Sequence, residues 1–403
     1  MQNLFPHFYV CMRKMHSNIS INRFVSRTER LKMPPSNKEA NKASMTTSAR
    51  DSNLHLLLTS ACQNDNAVQR LFDLLEVPVS TLRPASISVT RLELAQALNM
   101  LLFDKLLQAV PAGRDYVADA SAAGTKICFD HGAVRTVLRG KAASFPDGEA
   151  LFTRMLLPLG YKLAGLYPLP RINMTGHVYC HIDDPENIAQ FFVSELHPEK
   201  FSPEFQHIVD TLLSTSRDPL PTDMLALLDK LAADGALPIT SAQRLLPAML
   251  GCFARHHDLP TLPQYEALRT ESAEMAWIST EGNVFNHATD RVADVDATAE
   301  RQRQLGRPIK DLVEVSRNGR VRQTAFRADK VSYRLKDAAG ALVDVTVPGS
   351  FYEFISRDTY IDDAGARKLD LTFDSGNAQG IFKMTAGVTA ATDAATKSGD
   401  NAC

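Results

Sequence analysis

Phe129-Asp130-His131-Gly132-Ala133-Val134-Arg135 is echoed by Phe285-Asn286-His287-Ala288-Thr289-Asp290-Arg291. Both segments read Phe-(Asp/Asn)-His-x-x-x-Arg, and the two histidines stand 156 positions apart. β-formers at both ends of the first segment (Ile127, Phe129, Val134 and Val137) place His131 on or beside a strand. Two matched segments of this kind suggest two related modules, each offering one imidazole to a shared site. Neutral imidazole is the commonest protein metal ligand.

Outward from the echo the chain alternates between helical and strand patterns. Residues 54–75 suit an amphipathic helix. Residues 92–110 suit one better, with Leu94, Leu98, Leu101, Leu102 and Leu106 at helical spacing. Residues 147–166 read as helix and 176–182 as a short strand. Residues 184–278 read as a helical insertion between the two histidine segments, with proline at or near the start of several helices, where the first turn tolerates it. After residue 310 the pattern turns to strands, at 312–315, 331–335, 342–347 and 350–355, with Asn318-Gly319 and Ala339-Gly340 as turns. The expected class is α+β: a mixed sheet with helices around it and a helical insertion.

The chain has 403 residues, 44% hydrophobic and 22% charged, with a net charge of −2. That balance gives no general pull toward nucleic acid or an anionic membrane. No apolar run approaches the roughly 20 residues of a membrane span. Cys11, Cys62, Cys128, Cys180, Cys252 and Cys403 are scattered, as in a reduced, intracellular protein. Residues 1–50 carry nine Lys or Arg against Glu29 and Glu39. Residues 1–52 therefore read as a disordered or targeting tail, and organelle import is an alternative to a cytoplasmic location. Residues 53–385 are the expected folded domain and 386–403 a flexible tail.

A metal site needs more than two histidines. Glu353 lies among aromatic and aliphatic residues in Phe351-Tyr352-Glu353-Phe354-Ile355, where an acid is costly to bury unless paired or bound to a cation. Two histidines and one carboxylate on one face of an octahedral ion form the facial triad of non-haem Fe(II) oxygenases. The alternative is a glutamate pointing to solvent from an edge strand. Arg135 follows His131 by four residues and on a strand shares its face. Its guanidinium there could hold a substrate carboxylate at two points; a salt bridge with Asp130 or another surface acid is the alternative. His177 and His181 read as a core or surface pair. His256 and His257 are adjacent and make a poor chelate. The chain has no phosphate-binding glycine loop and no nucleophile elbow.

Five segments together resemble the 2-oxoadipate dioxygenase/decarboxylase family. They are Asp130 to Thr136, Phe192-Val193-Ser194-Glu195-Leu196-His197-Pro198, Phe285 to Thr289, Gly349 to Phe354, and Asn377-Ala378-Gln379-Gly380-Ile381-Phe382. They occur in the family's order across roughly residues 53–385. The resemblance implies a fold related to the vicinal oxygen chelate superfamily, with paired β-rich modules around one metal. It implies Fe(II) held by His131, His287 and Glu353, a substrate carboxylate held by Arg135, and a further substrate contact at Asn377. The implied reaction is 2-oxoadipate with O2 giving (R)-2-hydroxyglutarate and CO2, a step of lysine breakdown. No organic cofactor is required, because the substrate supplies the reducing equivalents. Only 24 positions separate Glu353 from Asn377, fewer than the longer bacterial members imply. A shorter region there could open the pocket to a different 2-oxo acid. Two other readings stand beside this one: a Zn hydrolase or lyase on the same scaffold, and a non-catalytic metabolite-binding protein.

Overall fold

The computed structural model describes residues 49–139, 145–374 and 376. Its centre is an eight-stranded mixed sheet curled into a half-barrel. In chain order the strands of the molecule are β1 (Ser88–Thr90), β2 (Phe129–Val137), β3 (Tyr161–Leu169), β4 (Met174–His181), β5 (Gln190–Leu196) and β6 (Ala236–Pro238). They continue with β7 (Phe285–Arg291), β8 (Glu314–Val315), β9 (Val321–Ala325), β10 (Lys330–Lys336), β11 (Leu342–Pro348) and β12 (Phe351–Arg357). The short β13 (Thr359–Ile361) and β14 (Arg367–Leu369) form a terminal hairpin.

The sheet order is β3-β4-β5-β2-β7-β12-β9-β8. Read outward from its middle, the order repeats. In each half the first strand (β2, β7) lies beside the last (β5, β12) in parallel, and two antiparallel strands follow. A helix follows each first strand in the chain, Ala150–Leu156 in one half and Val295–Gln304 in the other. The second half carries one addition, the β10–β11 hairpin between β9 and β12. The two halves meet where β2 and β7 pair antiparallel, so the two echo segments lie against each other at the seam.

One face of the sheet is covered by helices. Arg91–Ala109, the longest, begins at a capping box in which Thr90 and Glu93 satisfy each other's backbone donors. Its leucines, with those of Asn53–Cys62 and Ile239–Gly251, pack on Val134, Phe191, Phe285, Ala288, Tyr352 and Phe354. Burial of this kind contributes roughly 1.5–3 kcal/mol for each large apolar side chain. Gly132 lets the Phe285 ring lie flat on the sheet, since a Cβ there would come within 2.2 Å of Phe285 Cε2. The other, concave face carries the histidines.

The structure departs from the sequence expectations in three places. The helical stretch begins at Pro203 and not near 184, because Gln190–Leu196 is a central strand. Both of its faces are covered, so its polar–apolar alternation is lost and the run imitates a buried helix. Residues 147–166 divide into a seven-residue helix and the edge strand β3. Residues 54–75 divide into two helices, separated by Gln63 in the left-handed region at φ 52°. Asn377 lies outside the described residues.

Candidate metal centre

Three adjacent strands bring His131, His287 and Glu353 together. His131 on β2 pairs with Thr289 of β7, and Glu353 on β12 pairs with the same Thr289 from the other side. The donor atoms of all three residues lie within 4.8 Å of one another. Glu353 Oε2 is 3.0 Å from His287 Nε2 and 3.9 Å from His131 Nε2. Donors about 2.1 Å from a shared ion and at right angles to each other sit roughly 3 Å apart, so the first spacing is that of a chelate. The three residues are 2%, 5% and 2% exposed. Glu353 sits on an inner strand between β7 and β9, which rules out the edge-strand alternative.

The electrostatics suit a cation. Burial, followed by the His131 and Arg135 charges, pushes the His287 imidazole well below its ordinary value. Burial also lowers His131, against the upward pull of Asp130. Both rings are therefore neutral at pH 7. Burial raises the Glu353 carboxyl to about 8, with Glu314 adding to the effect. A carboxyl that keeps its proton in a dry site gives it up readily to a divalent ion. The donor set therefore fits a metal.

Behind the ligands is a polar layer. His131 Nδ1 is 2.8 Å from Asp130 Oδ1. Asp130 in turn accepts from Arg357 Nε and Nη2, at 2.9 to 3.1 Å. Burial alone would raise the Asp130 carboxyl, but Arg357 and His131 overrule it and hold it well below the usual carboxylate range. Arg357 Nη1 also donates to the carbonyls of Asp370 and Thr372, both at 2.9 Å. Its guanidinium lies 4.9 Å from the Phe373 ring, which meets the His131 ring edge to face at 4.9 Å between centroids. The chain after β14 is thus fastened to the support of one ligand. On the other side Phe351 lies 4.8 Å from the His287 ring.

Arg135 is fully buried further along β2, two register positions beyond the Ala133–His287 pair. Its guanidinium lies 4.8 Å from the centroid of Trp277, whose indole N–H donates to Gly349 O at 3.0 Å. Burial lowers it to about 10, opposed by Glu274, so it stays cationic at neutral pH. Asp130 pairs with Arg357, and more distantly with Arg291 at 3.8 Å, and not with Arg135. Arg291, the echo's second arginine, serves the framework: it donates to Glu186 O at 3.0 Å and to Cys128 Sγ at 3.1 Å. Asp290 beside it accepts from Tyr116 at 2.7 Å on the helix-covered face.

The repeat accounts for a cluster of three such residues and not four. Glu353 stands two residues beyond Phe351, the register partner of His287. The same position in the first half, two beyond Gln190, the partner of His131, is Phe192. Sequence reasoning missed Asp130, Asn286, Arg357 and Trp277 as parts of the centre. For the first two the signal was present in the echo itself, which keeps Asp or Asn ahead of each histidine.

A two-module half-barrel with a buried cluster at its seam is a protein of the vicinal oxygen chelate type. A solved structure of a protein from Ralstonia eutropha JMP134, ascribed to the glyoxalase superfamily, is 50% identical. It matches with a TM-score of 0.74 over 80% of this chain and 98% of its own. Residues 94–396 match the model of the 2-oxoadipate dioxygenase/decarboxylase family, and the chain belongs to that family. Hydroxyglutarate synthase from Oryza sativa, solved with 2-oxoadipate, shares the fold at 18% identity and a TM-score of 0.57, over 76% of this chain and 97% of its own. The Pseudomonas putida hydroxyglutarate synthase, also solved with 2-oxoadipate, shares it at 18% identity and 0.53, over 75% of this chain and 74% of its own. No curated protein matches the chain. Among the described residues, no helix is long and apolar enough to cross a membrane.

Proposed function

We propose that the chain is an Fe(II)-dependent dioxygenase that converts 2-oxoadipate and O2 to (R)-2-hydroxyglutarate and CO2, as a step of lysine breakdown. The observation that carries this reading is the His131–His287–Glu353 cluster, on the same concave face as the buried cation Arg135, in a member of this family. His131, His287 and Glu353 would hold the iron. When bound, it supplies a Lewis-acidic centre with open positions for a 2-oxo acid and dioxygen. Residues 53–385 constitute the catalytic domain in this reading, with residues 203–281 as its helical insertion.

Arg135 binds the substrate's far carboxylate. Two residues of strand separate it from the register of His287, roughly 7 Å, a span of the order of a six-carbon diacid. Trp277 backs the guanidinium at 4.8 Å and restricts the directions from which a carboxylate can meet it. That fixes which carbon faces the metal ligands, and positioning of this kind can supply several kcal/mol of the barrier. Phe351 and Phe373 lie against the histidine rings, with Phe192 packed on Phe373, and this apolar surface keeps water from the reacting carbon. Asn377 would add a substrate contact from the C-terminal side.

The test is anaerobic loading with Fe(II), followed by oxygen uptake and CO2 release against a panel of 2-oxo acids. Coupled uptake and release that is greatest with 2-oxoadipate supports the reading. Turnover without oxygen favours a hydrolase or lyase, and a preference for another chain length reassigns the substrate. His131→Ala, His287→Ala and Glu353→Ala should each abolish Fe(II)-dependent turnover. Full activity in the Glu353 variant would refute the triad.

A further inference from the structure

Two irregularities in the seam fall on the residues that precede the histidines. From Phe129 to His131, β2 advances two residues while β7 moves one, from Asp290 to Thr289. Asp130 is therefore the extra residue of a bulge. From Ala133 to Val134 the situation reverses: β7 moves two residues, from His287 to Phe285, and Asn286 is the extra one. A bulge re-aims a side chain that strict alternation would send to the other face. Each extra residue thereby reaches the Nδ1 of the histidine beside it: Asp130 Oδ1 at 2.8 Å and Asn286 Nδ2 at 3.2 Å.

The two contacts differ in kind. Asp130 can only accept, so it fixes the ring proton of His131 on Nδ1 and leaves Nε2 a lone pair. With Nδ2 toward His287, as its amide stands, Asn286 would favour the ring proton on Nε2, 3.0 Å from Glu353 Oε2. Its Oδ1 is buried and without a hydrogen-bond partner among the described residues. A half-turn of the amide exchanges the two atoms at nearly constant volume. Oδ1 then accepts a proton on Nδ1, and the lone pair moves to Nε2. One orientation closes the His287–Glu353 pair on itself, while the other turns both toward an ion.

We propose that Asn286 is a positioning residue that selects the tautomer of His287 by the orientation of its amide. Neutrality is part of the role: the charge of Asp130 is matched by Arg357, whereas a charge at 286 would act on the cluster directly. The inference rests on the metal-site reading above.

The test uses the full chain. Histidine-selective 15N NMR on wild type, with His287 assigned by its loss in His287→Gln, should find the ring proton on Nε2 in the apoprotein and on Nδ1 after Zn2+ loading. In anaerobic Co2+ titrations Asn286→Leu should weaken binding about 10- to 100-fold. Asn286→Asp, which restores an acceptor, should bind within a few-fold of wild type or tighter. The proposal is overturned if Asn286→Leu binds as wild type does, if Asn286→Asp is as weak as the leucine variant, or if the loaded ring carries no proton on Nδ1. If the leucine variant does not fold, the wild-type spectra alone decide. Failure of wild type to bind Co2+ overturns the metal-site reading and this inference with it; tight binding indifferent to position 286 overturns this inference alone.

Discussion

Metal binding should release one proton, and the pH at which it does so is set by Glu353. Burial raises this carboxyl to about 8 from an ordinary 4.5. At pH 7 about nine in ten molecules of apoprotein then hold the proton, and an ion must displace it to use the oxygen. Mn2+ binding at pH 7 should release about 0.9 proton, falling to about half that amount by pH 8. Affinity should rise about fifteen-fold between pH 6.5 and 8.0 and then level off. The histidines do not contribute, because burial lowers both. The stability of the apoprotein moves the opposite way. The folded state binds this proton more readily than the unfolded chain, so stability falls as pH rises from about 4.5 to about 8. Anaerobic titration calorimetry in two buffers of different ionisation enthalpy counts the protons directly. Glu353→Gln should bind weakly and release none. Proton release near zero at pH 7, or constant from pH 6.5 to 8.5, would refute the argument.

Three further outcomes are expected. Arg357→Met removes the nearest cation from the buried Asp130, leaving Arg291 at 3.8 Å, and should lower stability by about 2–4 kcal/mol in urea unfolding; adding Asp130→Asn should recover much of the loss. Arg135→Ala should leave Co2+ affinity nearly unchanged while 2-oxoadipate binding weakens, and Arg135→Lys should not rescue it, since an ammonium lacks the planar fork that stacks on Trp277. Gly132→Ala drives a methyl group into the Phe285 ring and should cost about 1–3 kcal/mol in thermal or urea unfolding; Phe285→Leu in the same chain should relieve part of it.

Much of the candidate centre is legible in the sequence, because its three residues sit in local patterns. The two histidines repeat a motif, and Glu353 is an acid in a run too apolar to carry one without a reason. Their supports are not legible there, for a physical reason. Asp130 and Asn286 reach Nδ1 only because the β2–β7 ladder slips at those residues, and a slip is a property of two strands together. Arg357 serves Asp130 across 227 positions of sequence, and Trp277 meets Arg135 through a helix that sequence alone does not place. Among the strands, β5 is hidden by its own burial. A run covered on both faces has no period, so Phe191-Phe192-Val193 reads equally well as helix.

The chain contains a single tryptophan, and the fold has set it against Arg135. Its indole is 2% exposed and its N–H is committed to Gly349, so water has little part in its emission. Light absorbed by that ring alone should therefore return a signal whose changes follow the guanidinium beside it. Binding of an anion at Arg135 would then be read optically in the unlabelled protein, in real time and without turnover.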